Sequence, residues 1–241
     1  MVLRFQYGEY SVFLPFLRFI TYFWKYFANI AYNMATTNNI TVTCSKCGRR
    51  ENVSTYGNIN VSEDPELKSK IKDGSLFISE CPHCGTRNLI TAPMLYHDPS
   101  ERLMIWLGGS DDSVIARLDA MFRSEETLKG YTARLVGTPG DLIEKVNIFD
   151  AGLDDIVMEM CKYVTCMESG KDIGGMRFVS LSGADNEITL TYPQNGQMEM
   201  IGIGFNVYED CAGIVRRNPA MQERAAGLVR VDREWIATFF R

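Results

Sequence analysis

Seven cysteines stand in this chain of 241 residues, and four of them fall into two C-x-x-C pairs, Cys44/Cys47 and Cys81/Cys84. The pairs read C-S-K-C-G and C-P-H-C-G, each preceded by a short β-branched or alternating run. Two thiolates three residues apart in a tight turn can aim at one ion. The glycine that follows, Gly48 or Gly85, can adopt the positive φ that closes the turn. Two such knuckles supply four sulfurs in tetrahedral array, a donor set that selects Zn²⁺ first and iron after it. A four-cysteine site is coordinatively closed, so it stabilises a fold and offers no position for a water nucleophile. Cys44, Cys47, Cys81 and Cys84 are therefore the expected metal ligands. C-x-x-C spacing and an odd cysteine count argue for a reducing compartment and against a disulfide framework.

A thiol-disulfide reading competes, because C-P-H-C followed later by V-G-T-P at Val136–Pro139 is also a redox pattern. That chemistry needs the first cysteine at a helix N-terminus, where the dipole lowers its pKa. Here Gly85 and a β-like run from Arg87 follow, and the residues after Pro139 have a helical pattern. The two histidines add little. His83 lies inside the second knuckle as a spare ligand or exposed filler, and His97 in Y-H-D-P-S reads as a loop residue. Cys161 sits on an apolar helical stripe, and Cys161, Cys166 and Cys211 read as core hydrophobes.

The elements that must position the knuckles can be read around them. Strands are expected over Ile40–Thr43, Glu51–Asn58, Ser75–Ser79, Arg87–Tyr96 and Arg102–Leu107, with a short helix between the knuckles capped by Asp64 and opened by Pro65. Gly108-Gly109-Ser110 marks a boundary. Beyond it come a helix over Asp112–Phe122 and a strand over Tyr131–Val136. A helix capped by Thr138 follows, with Leu142, Ile143, Val146 and Phe149 inward. The next stripe carries Leu153, Ile156, Val157, Met160, Cys161 and Val164. Strands are then expected over Met176–Leu181, Glu187–Tyr192 and Gln197–Asn206. Asn195-Gly196 signals a hairpin, and a parity slip between Met200 and Ile201 suggests a bulge. G-I-G-F at Gly202–Phe205 is read as strand, lacking the following glycine and helix of a dinucleotide loop. Helices near Val207–Arg217 and Asp232–Phe240 close the chain, and Asp154-Asp155 and Glu209-Asp210 read as helix N-terminal charges.

Charge divides unevenly. The chain carries 25 basic and 30 acidic residues, with residues 1–33 net basic, residues 34–107 balanced and the rest acidic. No basic arm or stripe makes phosphate-backbone binding the default. Lys46, Arg49, Arg50 and Arg87 beside the knuckles are the candidate nucleic-acid contacts. Twelve of the 27 aromatic residues lie in residues 1–33. This leader has no secretory signal, and Pro15, Arg18 and Lys25 interrupt any spanning helix. Phe16, Phe19, Ile20, Phe23, Trp24 and Phe27 follow the spacing of an amphipathic helix. It reads as upstream sequence before a start at Met34, as a membrane-surface or docking helix, or as a helix packed on the protein's own core.

With C-S-K-C-G and C-P-H-C-G quoted, residues 39–107 resemble the CpXC domain family, and E-K-V-N-I-F-D-A-G-L-D-D-I-V-M-E-M looks like the helical segment of its longer members. Ser45 departs from the family's proline. The resemblance implies a bacterial cytoplasmic protein with a zinc-ribbon module and adds no activity. The expectation is an α+β chain: a leader over 1–33, a Cys₄ zinc ribbon of antiparallel strands with a short inserted helix over 34–109, and an α+β C-terminal domain over 110–241. The function expected is a structural Zn²⁺ site in a protein-interaction module, docking a protein partner or itself. A nucleic-acid-binding ribbon is the alternative, and membrane contact arises only through the leader.

Overall fold

The computed structural model describes residues 35–109, 112–169 and 174–240; the readings of the aromatic leader lie outside them. The fold is α+β, as expected. Strand β1 (Thr36–Thr43) runs antiparallel to β2 (Arg50–Asn60). Helix α1 (Pro65–Lys72) follows, then a 3₁₀ turn over Ser75–Phe77 and the short pair β3 (Ile78–Glu80) and β4 (Arg87–Leu89). Strands β5 (Met94–Asp98), β6 (Leu103–Leu107) and β7 (Thr132–Val136) return to the main sheet. Helix α2 (Asp112–Ser124) precedes β7, and helices α3 (Pro139–Asp150) and α4 (Asp155–Ser169) follow it. Strands β8 (Arg177–Ser182), β9 (Glu187–Gln194) and β10 (Gln197–Gly204) form an antiparallel meander. Helices α5 (Phe205–Arg216) and α6 (Pro219–Arg224), the two-residue β11 (Leu228–Val229) and helix α7 (Arg233–Ala237) end the described chain.

The main sheet has the order β1-β2-β5-β6-β7-β11. Its β6, β7 and β11 are mutually parallel, whereas β5 and β6 are antiparallel. The expected boundary after residue 109 thus falls between two hydrogen-bonded strands of one sheet. One core packs that sheet against α1 and α3, around Ile59, Leu67, Ile71, Tyr96, Ile105 and Leu142. A second packs α4, α5 and α7 on the meander, around Ile156, Cys161, Phe178, Leu190, Cys211 and Ile236. The buried cysteines Cys161, Cys166 and Cys211 are core residues, as read from the sequence.

Helix α3 lies between the two cores and explains what one-faced periodicity missed. Its N-terminus is set by a capping box in which Thr138 and Asp141 bond each other's backbone N–H, a geometry that satisfies two otherwise orphaned donors. Leu142 and Val146 face one core and Ile148 the other, so Glu144 and Lys145 are buried too. They enter a chain of three cations and three anions. Arg134 is bidentate to Asp155 at 2.8 and 2.9 Å. Lys145 reaches Asp155 at 2.9 Å and Glu159 at 3.2 Å, and Lys162 reaches Glu159 at 2.8 Å and Glu144 at 2.9 Å. Burial alone would raise the Asp155 pKa, but Lys145 and Arg134 outweigh it and hold the carboxyl well below its ordinary range. Glu144 also accepts from the Phe178 N–H at 2.7 Å, tying β8 to α3.

Several local expectations are corrected. Ser75–Phe77 is a 3₁₀ turn, and only Ile78 onward is strand. The run Arg87–Tyr96 divides into β4 and β5, which belong to different sheets; Pro93, with no N–H to give a ladder, stands at the break. His97 is a buried strand residue instead of a loop residue, and the turn begins after Asp98. Asp64 occupies the N-cap position of α1 without a side-chain cap bond. The register of β10 on β9 is unbroken, and the meander's irregularity lies in β8 between Phe178 and Ser180. Met198 and Met200 are exposed on the edge strand β10 while Ile201 and Ile203 pack against the second core, so the apparent slip comes from exposed methionines and not from a bulge. Within G-I-G-F the strand ends at Gly204 and α5 starts at Phe205. Asp154 caps α4, as a helix-terminal charge should, but Asp155 is committed to the buried ion network.

Candidate metal centre

The two knuckles are copies of one geometry. In the first, the turn joins β1 to β2: Gly48 N–H bonds Cys44 O at 3.0 Å and Cys44 N–H bonds Arg49 O at 2.9 Å. In the second, the turn joins β3 to β4, with Gly85 N–H to Cys81 O and Cys81 N–H to Thr86 O, both at 2.9 Å. Gly48 and Gly85 have φ of 69° and 68°, the left-handed conformation that glycine adopts without a Cβ penalty. The strand pairs and these turns bring the four sulfurs together.

All four Sγ atoms lie within 4.8 Å of one another. Cys44 and Cys84 are 3.6 Å apart, and Cys47 and Cys81 are 3.7 Å apart. A tetrahedron with metal–sulfur bonds of about 2.3 Å has edges of about 3.8 Å, so the set fits one ion of that size. Cys44 and Cys81 are buried, Cys84 is half-buried and Cys47 is exposed. The cluster is therefore rooted in the protein and open on one side.

Backbone donors favour the thiolate form. The N–H groups of Cys47 and then Lys46 draw the Cys44 pKa down to about 6. The Thr86 hydroxyl, 3.3 Å from Cys84 Sγ, and then the Thr86 N–H lower that of Cys84. At Cys47 the Arg49 N–H pulls downward, but burial and hydrogen bonds with the other three cysteines push the pKa up to about 11. Four sulfurs this close cannot all ionise without a cation among them.

Asn88 is the residue that sequence reading missed. It is buried on β4, and its Oδ1 accepts from both Ser45 N–H and Ser45 Oγ at 2.9 Å. Its Nδ2 donates to Thr86 O at 3.0 Å and approaches Cys44 Sγ at 3.7 Å. One side chain thus fixes the second knuckle and clamps the first onto it. Asn88 follows Thr86-Arg87 in a polar stretch, so its sequence surroundings carried no signal of burial.

The remaining site candidates fall around this cluster. His83 is exposed and its Nδ1 is 2.8 Å from Arg49 Nη1, so it bridges the two turns instead of joining the sulfurs. Lys46, Arg49, Arg50 and Arg87 are all exposed. No helix begins at Cys81 or Cys84, and Pro139 opens helix α3 where a redox fold would require a strand.

Comparison with known families gives a match to CpXC proteins over residues 42–162. That stretch covers both knuckles and half of the chain. The chain belongs to the CpXC family. In this CpXC protein Ser45 stands in the first knuckle where the second has Pro82, and the geometry shows how the serine is used: its N–H, which proline lacks, bonds Asn88. The CpXC match ends at Lys162, so the buried ion network of α3 and α4 falls within it. No curated protein and no solved structure matches the chain.

Proposed function

We propose that the four cysteines hold one structural Zn²⁺ and that this CpXC protein acts by docking a protein partner, or a second copy of itself, instead of by chemistry at the metal. The convergence of four sulfurs within 4.8 Å carries this reading. A full set of protein ligands leaves no open position on the ion. The ribbon also presents apolar surface, since Leu89 of β4 is 65 % exposed. The reading includes a bacterial, cytoplasmic protein; seven cysteines with no disulfide among them suit a reducing compartment. Among the described residues no helix is long and apolar enough to cross a membrane.

Metal analysis of the full chain tests the proposal. One zinc per chain is expected, lost on Cys44→Ser or Cys81→Ser. A metal-free protein with a reactive Cys81 thiol would overturn it in favour of thiol-disulfide exchange.

A second reading is nucleic-acid binding through Lys46, Arg49, Arg50 and Arg87, favoured by their joint exposure around the knuckles. It requires affinity that falls steeply with salt. No retention of duplex or single-stranded DNA or RNA at low salt removes it.

A further inference from the structure

A cleft of about 190 Å³ opens at the carboxyl ends of β7 and β11, beside the first turn of α3. In sheets with parallel strands this is the end at which ligands bind. Glu144, Lys145, Glu159 and Lys162 line it, each more than nine-tenths buried. They belong to the balanced chain of six charges. Apolar residues in place of such a network are often neutral or stabilising, so packing alone does not call for it. A polar wall on an open cleft suits a polar ligand.

The remaining side chains set the sign of that ligand. Arg177 pairs with Asp141 at 2.8 Å through Nη2, while its Nε is buried with no acceptor among the described residues. Asp232 is used to cap α7, accepting from Trp235 N–H at 2.8 Å, and Arg233 approaches Cys166 Sγ. Arg230 lines the same cleft, is exposed, and has no ion pair or hydrogen bond among the described residues. The turn G-T-P-G lets both arginines close on α3. A Cβ on Gly137 would lie 3.3 Å from Arg230 Nη1, and one on Gly140 would lie 3.2 Å from Arg177 Cζ. Two guanidinium groups thus line one cleft beside the positive end of a helix: Arg177, paired with Asp141, and Arg230, unpaired among the described residues.

We infer that this cleft binds a small molecule bearing a terminal oxyanion, a carboxylate or a phosphate, held by Arg230 with the Arg177 guanidinium beside it. The cavity is smaller than the roughly 300–1,000 Å³ of drug-sized sites, which suits a small metabolite. The site is independent of the metal and of the partner proposed for the ribbon.

Calorimetric titration of the full, metal-replete chain at low salt tests the site, with inorganic phosphate in one arm and acetate and succinate in the others. Saturable binding is expected in at least one arm, and the arm that binds identifies the anion class. Arg230→Gln should weaken it about tenfold or more, the scale of a charge-assisted hydrogen bond. Arg216→Gln on α5, exposed and away from the cleft lining, should leave it unchanged. Arg230 has no partner to lose among the described residues, so metal content and urea midpoint should match the unaltered chain. No saturable binding in any arm, or equal weakening by both substitutions, overturns the inference.

Discussion

Asn88 reaches Ser45, Thr86 and Cys44 from one buried position, so its loss should act on the metal through the ligands it orients. Asn88→Ala is expected to weaken zinc binding about tenfold, within the usual range for groups that orient ligands; competition with a chromophoric chelator measures this. His97 offers a residue-scale prediction of another kind. Its Nε2 is 3.3 Å from the Tyr131 hydroxyl, and its buried Nδ1 has no partner among the described residues. Burial lowers its pKa below the ordinary value of 6.5, against a smaller opposing pull from Asp98. The folded state therefore binds its proton less readily than the unfolded state. Its contribution to stability is complete above about pH 6.5 and is lost as the pH falls toward the folded value. His97→Gln should flatten that part of a plot of urea midpoint against pH.

Helices α3 and α4 and strand β7 are joined by charges as much as by apolar contacts. Asp155 meets Arg134 and Lys145 in the interior, so Asp155→Asn would leave two buried cations undercompensated. A loss of about 3–5 kcal/mol is expected, the usual cost of breaking a buried pair from one side, measured from urea unfolding. The depressed Asp155 pKa adds a pH signature: its stabilisation is full above about pH 4 and disappears as the pH falls through the folded value. At the other end of α3, Thr138→Ala removes one half of a capping box and should cost about 1 kcal/mol. The helix itself was legible from Thr138, Pro139 and Asp141. Its burial on two sides was not, because hydrophobic periodicity assumes one core and one solvent face, whereas α3 touches both cores.

Across the whole molecule the metal cluster is set apart from the two larger apolar cores and from the small cluster of Leu95, Met104 and Leu128. The outer parts of β1 and β2 and the β3–β4 pair bury little besides Cys44, Cys81, Asn88 and Ile90, while β5, β6 and α3 pack into the main core. Chelation should therefore abolish amide protection in β3, β4 and the knuckle ends of β1 and β2 and leave it in β5, β6 and α3. Hydrogen exchange followed by mass spectrometry reads the difference, and loss of protection throughout would mean that the ion supports the whole fold.

The sequence by itself determined the four sulfurs, the two glycines and the Thr138 cap, because their chemistry is local: a C-x-x-C turn, a positive φ and a threonine before proline act within a few residues. Only the tertiary structure decided what lies far apart in the chain. It set β6 beside β7 across residue 109, buried Glu144 and Lys145 against Glu159 and Lys162, and brought Arg177 and Arg230 to one cleft. A charged residue reads as solvent-facing until opposite charges from other elements enclose it, and those partners are chosen by how the layers pack.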